Sequence, residues 1–246
     1  MQSLLTALIL FTTLPVAFAQ QSPEVGGVKL YRYGELLRDH NIELTEPALL
    51  RALKNPDAAV RYLAAMKLAE DKATDAIPAI EQALAVEKVP RDRVNIAVAL
   101  GLLGDQTGHA ELKKVCADKN FIPESRLYAV RYMFDLHSQD EHCLHAAEDI
   151  VESRKVKFGD RISALELLPQ FQHLTEDESQ RVFELVVNCL QDPEPVVRMA
   201  ASDALAGLGN PSGISYLEAA IARESEEGTR SAMERDLKKL QPNAKE

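Results

Sequence analysis

A chain of 246 residues with no Trp, 5% aromatic side chains and abundant Ala, Leu, Glu and Val suits packed helices better than sheets, which favour aromatic and β-branched residues. Its formal net charge of −10 argues against a phosphate-tracking surface, because counterion release needs clustered Lys and Arg. Nucleic acid is therefore not an expected partner, and acidity spread along the chain reads as a solvated surface.

Leu4 to Leu14 is an apolar run of signal-peptide length, too short to span a bilayer, and Pro15 ends it. Ala17-Phe18-Ala19 supplies the small residues that a signal peptidase requires. Residues 1–19 thus read as a signal peptide cleaved after Ala19. The mature chain is then secreted or periplasmic, and not integral to the membrane. The leading MQS carries no Lys or Arg, and an uncleaved N-terminal anchor is the alternative. Residues 20–44 form a lead-in: QQSPEVGG is polar and flexible, and KLYRYGELLRDH (29–40) can make a short capping helix with Leu30, Leu36 and Leu37 on its apolar side. Thr45 offers an N-cap and Pro47 a first-turn proline for a helix to about Lys54.

From here one unit recurs. Arg61, Arg93, Arg126, Arg161, Arg198 and Arg230 lie at intervals of 32, 33, 35, 37 and 32. Three residues after each come Ala64, Ile96, Ala129, Ala164, Ala201 and Met233, and seven after come Leu68, Leu100, Met133, Leu168, Leu205 and Leu237. Positions 0, 3, 7 and 10 form one helical stripe. A second apolar helix precedes each arginine, over 46–54, 76–87, 108–118, 142–154, 176–191 and 212–224, with a short turn between. Six residues before the arginine stand Asn55, Glu87, Asn120, Asp192 and Glu224, with Lys155 the departure. An acid or Asn there can accept backbone N–H bonds and pair with a guanidinium. The unit is a helical hairpin, and its period signals a solenoid.

The runs LLRALKNPDAAVRYLAAMKLAE and VVNCLQDPEPVVRMAASDALAGLGN resemble HEAT repeats, of the short type also called phycobilisome-lyase-like. Val60-Arg61, Val197-Arg198 and Leu103-Gly104 match the family's pattern, whereas Lys155 and Pro169 make the fourth unit depart most. The resemblance covers about 45–241 and implies an all-α fold, a right-handed α-solenoid of about six hairpins. Residues 242–246 are left as a disordered tail. In such folds the repeated Arg is structural, so Arg61, Arg93, Arg126, Arg161, Arg198 and Arg230, with Asn55 and Asp192, are expected to form a ladder. Each unit buries its stripe only against neighbours, so stability should be near-additive, with a weak point at the fourth unit.

Little in the chain promises chemistry. There is no Gly-rich phosphate loop, G-x-S-x-G elbow or H-E-x-x-H, and no catalytic residue or cofactor is expected. His137, His142 and His145 fall within one turn near Cys143 and suit zinc, copper or nickel by residue type. No spacing matches a strong zinc pattern, so a metal-binding envelope protein is only an alternative. Cys116, Cys143 and Cys189 each sit in an amphipathic segment and read as small buried hydrophobes. Cys116 stands late in its helix and Cys143 early in the matching helix of the next unit, which makes that pair look hard to close.

In HEAT-like solenoids the second helices line the concave side. At positions +2, +5 and +9 the first three units place Leu63, Met66, Asn95, Val98, Leu102, Tyr128 and Arg131 there, a composition like that of interfaces. Later units present Ser163, Glu166, Gln170, Asp203 and Lys239. The alternative is that the curved stack covers the apolar ones. The expected function is an exported, non-catalytic scaffold binding a protein or peptide on its concave face. A phycobilisome-lyase-like enzyme or chromophore-binding protein is the alternative that the resemblance itself raises.

Overall fold

The computed structural model describes residues 33–241, plus the backbone of a two-residue antiparallel ladder joining Glu24–Val25 to Val28–Lys29. The signal-peptide segment, most of the lead-in and the 242–246 tail lie outside the described residues. The rest is helical: α1 (Tyr33–Asp39), α2 (Glu46–Ala52), α3 (Ala58–Glu70), α4 (Ile77–Val86), α5 (Pro90–Leu102), α6 (Gln106–Ala117), α7 (Pro123–Asp135), α8 (Glu141–Glu152), α9 (Phe158–Leu167), α10 (Glu176–Cys189), α11 (Pro195–Leu208), α12 (Gly213–Arg223) and α13 (Glu227–Leu240). No described helix is long and apolar enough to cross a membrane.

Local chemistry sets these boundaries. Pro90, Pro123 and Pro195 open α5, α7 and α11, where a missing N–H costs nothing. Asp57, Asp105 and Asp140 accept N–H bonds from Ala59, Thr107 and His142 at the starts of α3, α6 and α8. Thr175 and Glu178 make a reciprocal capping box on α10. The second helices α3, α5, α7, α9, α11 and α13 pack on one another as a continuous layer. The first helices touch more sparsely: α6 packs on α8 and α8 on α10, while α10 meets α12 through the Phe183 and Tyr216 rings. The second-helix layer corresponds to the side expected to be concave. The sequence stripe is its core, since Ala64, Ile96, Ala129, Ala164, Ala201 and Met233 are all fully buried.

Four second helices end alike. Lys72, Gly104, His137 and Gly209 are left-handed, with φ between 51° and 82°. In three of them the next residue closes the turn: Ala73, Asp105 and Ser138 donate to Leu68, Leu100 and Met133 five residues back, the Schellman pattern. α1 ends the same way, with Asn41 at φ 58° and Ile42 donating to Leu37. α1 thus ends as a second helix does and stacks on α3. Lys72 pays for its Cβ in this conformation. Lys72→Gly should raise stability by about 0.5–1 kcal/mol, read as a higher urea midpoint; a lower midpoint would contradict the assignment. A glycine is already required at Gly108, where a Cβ would overlap the Ala97 carbonyl oxygen and the Gly101 nitrogen, so α6 can cross α5 closely.

The arginine ladder runs through the whole stack. From Arg61 to Arg198 each guanidinium reaches back to a carbonyl of its own unit and forward to an acid of the next. Arg61 donates to the Asn55 and Pro56 carbonyls and to Glu87 at 2.6 and 2.8 Å. Arg93 donates to the Leu84 and Glu87 carbonyls and pairs with Glu111. Arg126 joins the Cys116 carbonyl to Asp149, and Arg161 joins the Val151 carbonyl to Asp192 at 2.7 Å. Arg198 donates to the Asp192 and Pro193 carbonyls and to both Glu224 oxygens. Arg230, in the last described unit, bonds the carbonyls of Glu224 and Ser225 and no acid among the described residues.

Two rungs differ from the sequence expectation. Asn120 is not a rung, because its N–H and amide donate to Asp118; Glu111, on α6, serves Arg93. Asp149, six residues earlier than the register predicts, replaces Lys155 opposite Arg126. The third and fourth first helices are shifted along each other, so the start of α8 lies beside the end of α6. Lys113 reaches Asp140 there at 3.2 Å.

That shift also corrects the cysteine reading. Cys116 and Cys143 form a disulfide, with Cα atoms 4.8 Å apart, and only Cys189 remains a buried free thiol. Stacking in register would hold the pair apart, but α6 and α8 are offset, which brings the end of one beside the start of the other.

The ladder acids make the stack acid-sensitive. Glu224 is held down from 4.5 to about 2, first by the Arg198 hydrogen bond, with burial opposing. At Glu87, Asp149 and Asp192 burial opposes, but hydrogen bonds to the charged form win and lower each carboxyl. A folded value below the unfolded one means that protonation favours unfolding. The contribution is therefore complete above pH about 4.5 and drains away towards about pH 2. Glu224→Gln should be less stable at pH 7 yet lose less stability than the parent on acidification through that window. Parallel acid-unfolding curves would contradict it.

Candidate interaction surface

The concave layer buries part of what the sequence reading exposed. Leu63, Met66 and Val98 are 2%, 1% and 2% exposed and belong to the core, so they are not available to a partner. α3 lies between α1 and α5, and α5 between α3 and α7; aliphatic side chains at +2 and +5 are short enough to be covered from both flanks. Leu102 and Asn95 are half-buried, and Leu102 packs on the core. Tyr128 and Arg131, at the same register on α7, extend past their neighbours: Tyr128 is 42% exposed and Arg131 is exposed.

Around Tyr128 the structure assembles groups that the register alone did not single out. The Arg91 guanidinium, from the first turn of α5, stands 6.0 Å from the Tyr128 ring centroid. Tyr132, one turn on along α7, stacks near Tyr128 with ring centroids 6.5 Å apart. A small cavity of about 160 Å³ opens between α7 and α9, lined by Glu124, Leu127, Tyr128, Arg131, Asp160 and Ser163. Burial and then Asp92 push the Tyr62 hydroxyl up. Burial and then Asp135 do the same to Tyr132. Burial and then Glu87 raise the carboxyl of Asp92, and burial raises that of Asp135, whose Oδ2 is buried without a hydrogen bond. A tyrosine face thus stands with two projecting guanidiniums and withdrawn carboxylates.

The C-terminal half of the concave face has a second opening of about 490 Å³, over Ile162, Val196 and Met199, with Glu166 and Asp203 facing Arg235 and Lys239. Lys239 already bridges Asp203 and Asp236, at 2.8 Å each. Ser163, Asp203 and Lys239 are therefore in or beside concave openings, while Gln170 donates to the Glu166 carbonyl at the helix end.

The histidine turn does not assemble a metal centre. No described group of three or more His, Cys, Asp or Glu is arranged to hold an ion. Cys143 is taken by the disulfide, His142 turns back to Asp140 at 3.0 Å, and His145 is exposed. His137 adopts the left-handed end of α7 and, with His173, borders an open hollow of about 490 Å³ between two inter-helix loops.

The family model for HEAT repeats matches residues 46–129 and 160–238. The stretch between them holds α8, half of the disulfide and the most irregular turn. No curated protein matches the chain. Among solved structures it is similar to the complex of CpcE and CpcF of phycocyanin lyase from Nostoc sp. PCC7120, with 17% identity, 81% of this chain and 96% of that one covered, and a TM-score of 0.36. It is also similar to human deoxyhypusine hydroxylase in complex with glycerol, with 16% identity, 79% and 84% covered, and a TM-score of 0.30. At these scores neither bears on the chemistry of this chain. The repeat register, the arginine ladder and the family match agree: the chain belongs to the HEAT-repeat family.

Proposed function

We propose that the chain is an exported HEAT-repeat scaffold that binds a protein or peptide partner on its concave face, centred on α5 and α7, and performs no chemistry of its own. The observation that carries this is Tyr128, a large ring 42% exposed and flanked by Arg91 and Arg131. Tyr and Arg are the side chains that most often dominate binding energy at interfaces. A rigid helical layer presents them at little conformational cost. Export is supported by the reading of residues 1–19 as a signal peptide and by the Cys116–Cys143 disulfide, a bond that persists in oxidising compartments.

Photo-crosslinking tests the site. A benzoyl-phenylalanine at position 128 should capture a discrete partner in the native envelope, identified by mass spectrometry. The same residue at position 216, exposed on the outer helix α12, should not. Equal capture at both positions, or none at 128, would remove the concave face as the binding surface.

A further inference from the structure

We infer that the segment taken by the α5–α7 face is acidic and extended, its carboxylates pairing with Arg91, over the Tyr128 ring, and with Arg131, which lines the same small cavity as Tyr128. This rests on the binding surface just proposed and adds the chemistry of its partner. Neither Arg91 nor Arg131 has an ion-pair or hydrogen-bond partner among the described residues, in a chain with 38 acidic and 28 basic side chains. The ladder arginines show the contrast: from Arg61 to Arg198 each is matched to an acid. Two guanidiniums left open beside one ring are donors awaiting acceptors, and the planar fork suits a carboxylate.

The acids nearby are not what an incoming chain meets first. Asp92 is 9% exposed, Asp135 has one oxygen fully enclosed, and Glu124 is engaged by Lys157 at 2.9 Å. Arg91 and Arg131 are both exposed, so an incoming chain meets these cations although the whole molecule is negative. Asp160, on the α9 wall of the small cavity, restricts the acidic residues to the α5 side and calls for an uncharged residue opposite α9. The hydroxyls of Tyr128 and Tyr132 make no hydrogen bond among the described residues, so they are free to donate to the carbonyls of an extended backbone.

The test uses the full chain and fluorescence anisotropy with three labelled probes. One is a 12-residue peptide rich in Asp and Glu with interspersed Leu and Pro; the second replaces its acids with Lys; the third is a heparin oligosaccharide, a polyanion without peptide backbone. The acidic peptide should bind the parent chain, weaken about tenfold or more with Arg91→Glu or Arg131→Glu, and weaken as salt rises from about 50 to 300 mM. The Lys peptide should bind only the doubly Glu-substituted chain. Arg91→Gln and Arg131→Gln should give intermediate losses, which keeps the test valid if a Glu variant unfolds. Arg235→Glu, on the far half of the face, should change nothing. Binding of the Lys peptide to the parent chain, tighter binding of heparin, binding of no probe, or an equal loss with Arg235→Glu would each overturn the inference. If crosslinks from position 128 capture a basic or neutral segment, the acidic assignment fails while the binding face stands; absence of crosslinks removes both.

Discussion

Arg161→Ala is expected to cost about 3–5 kcal/mol of stability, the typical penalty for leaving one member of a buried ion pair alone. Arg161 and Asp192 meet at 2.7 Å with side chains only 7% and 3% exposed, the most enclosed rung of the ladder. The same guanidinium satisfies the Val151 carbonyl near the end of α8, so two groups lose their partner. Replacing both members by apolar residues, Arg161→Met with Asp192→Leu, should cost far less, because no buried charge is then stranded. Denaturant melts of the two single variants and the double variant check this. Additive losses would mean that the pair acts as two independent surface charges.

Breaking the disulfide should cost a similar amount. The cross-link separates 27 residues, and the loop-closure relation places its stabilisation at about 3–4 kcal/mol. Cys116→Ser with Cys143→Ser should therefore lower the melting temperature and raise hydrogen exchange first in α6 and α8. In the parent, Cys189 should not exchange into the bond, since it is buried, burial pushes its thiol up to about 11 and thiolate is the reactive form. An unchanged melt with and without reductant would show that the bond does not form in solution.

Both features fall at the fourth unit, the expected weak point. It is the least regular in sequence, and Pro169 falls in the 3₁₀ turn Leu168–Gln170 that ends α9. A covalent bond and the most buried ion pair occur there. The second helices were legible in the sequence because a 3.6-residue stripe around one arginine is a geometric constraint that every copy must meet. The first helices were less so: they differ in length and slide along one another, which moved the acceptors of Arg93 and Arg126 to Glu111 and Asp149 and brought Cys116 to Cys143.

At the candidate surface, sequence position alone was insufficient. The same two register positions hold Leu63 and Met66 in α3 and Tyr128 and Arg131 in α7, yet the former are core and the latter project. Side-chain length and the cover given by α1 decide the difference. Arg91 escaped notice because it precedes the ladder arginine and lies outside the +2, +5, +9 pattern.

The claim that ladder and surface are separate systems is tested most directly by measuring partner capture and thermal unfolding on the same two variants. Tyr128→Ala should lose capture by about tenfold or more and melt within about 2 °C of the parent, as expected for an exposed residue. Arg198→Ala should melt well below the parent yet capture normally where it is still folded. If Tyr128→Ala unfolds as Arg198→Ala does, or captures its partner undiminished, the concave face is core and the account is wrong.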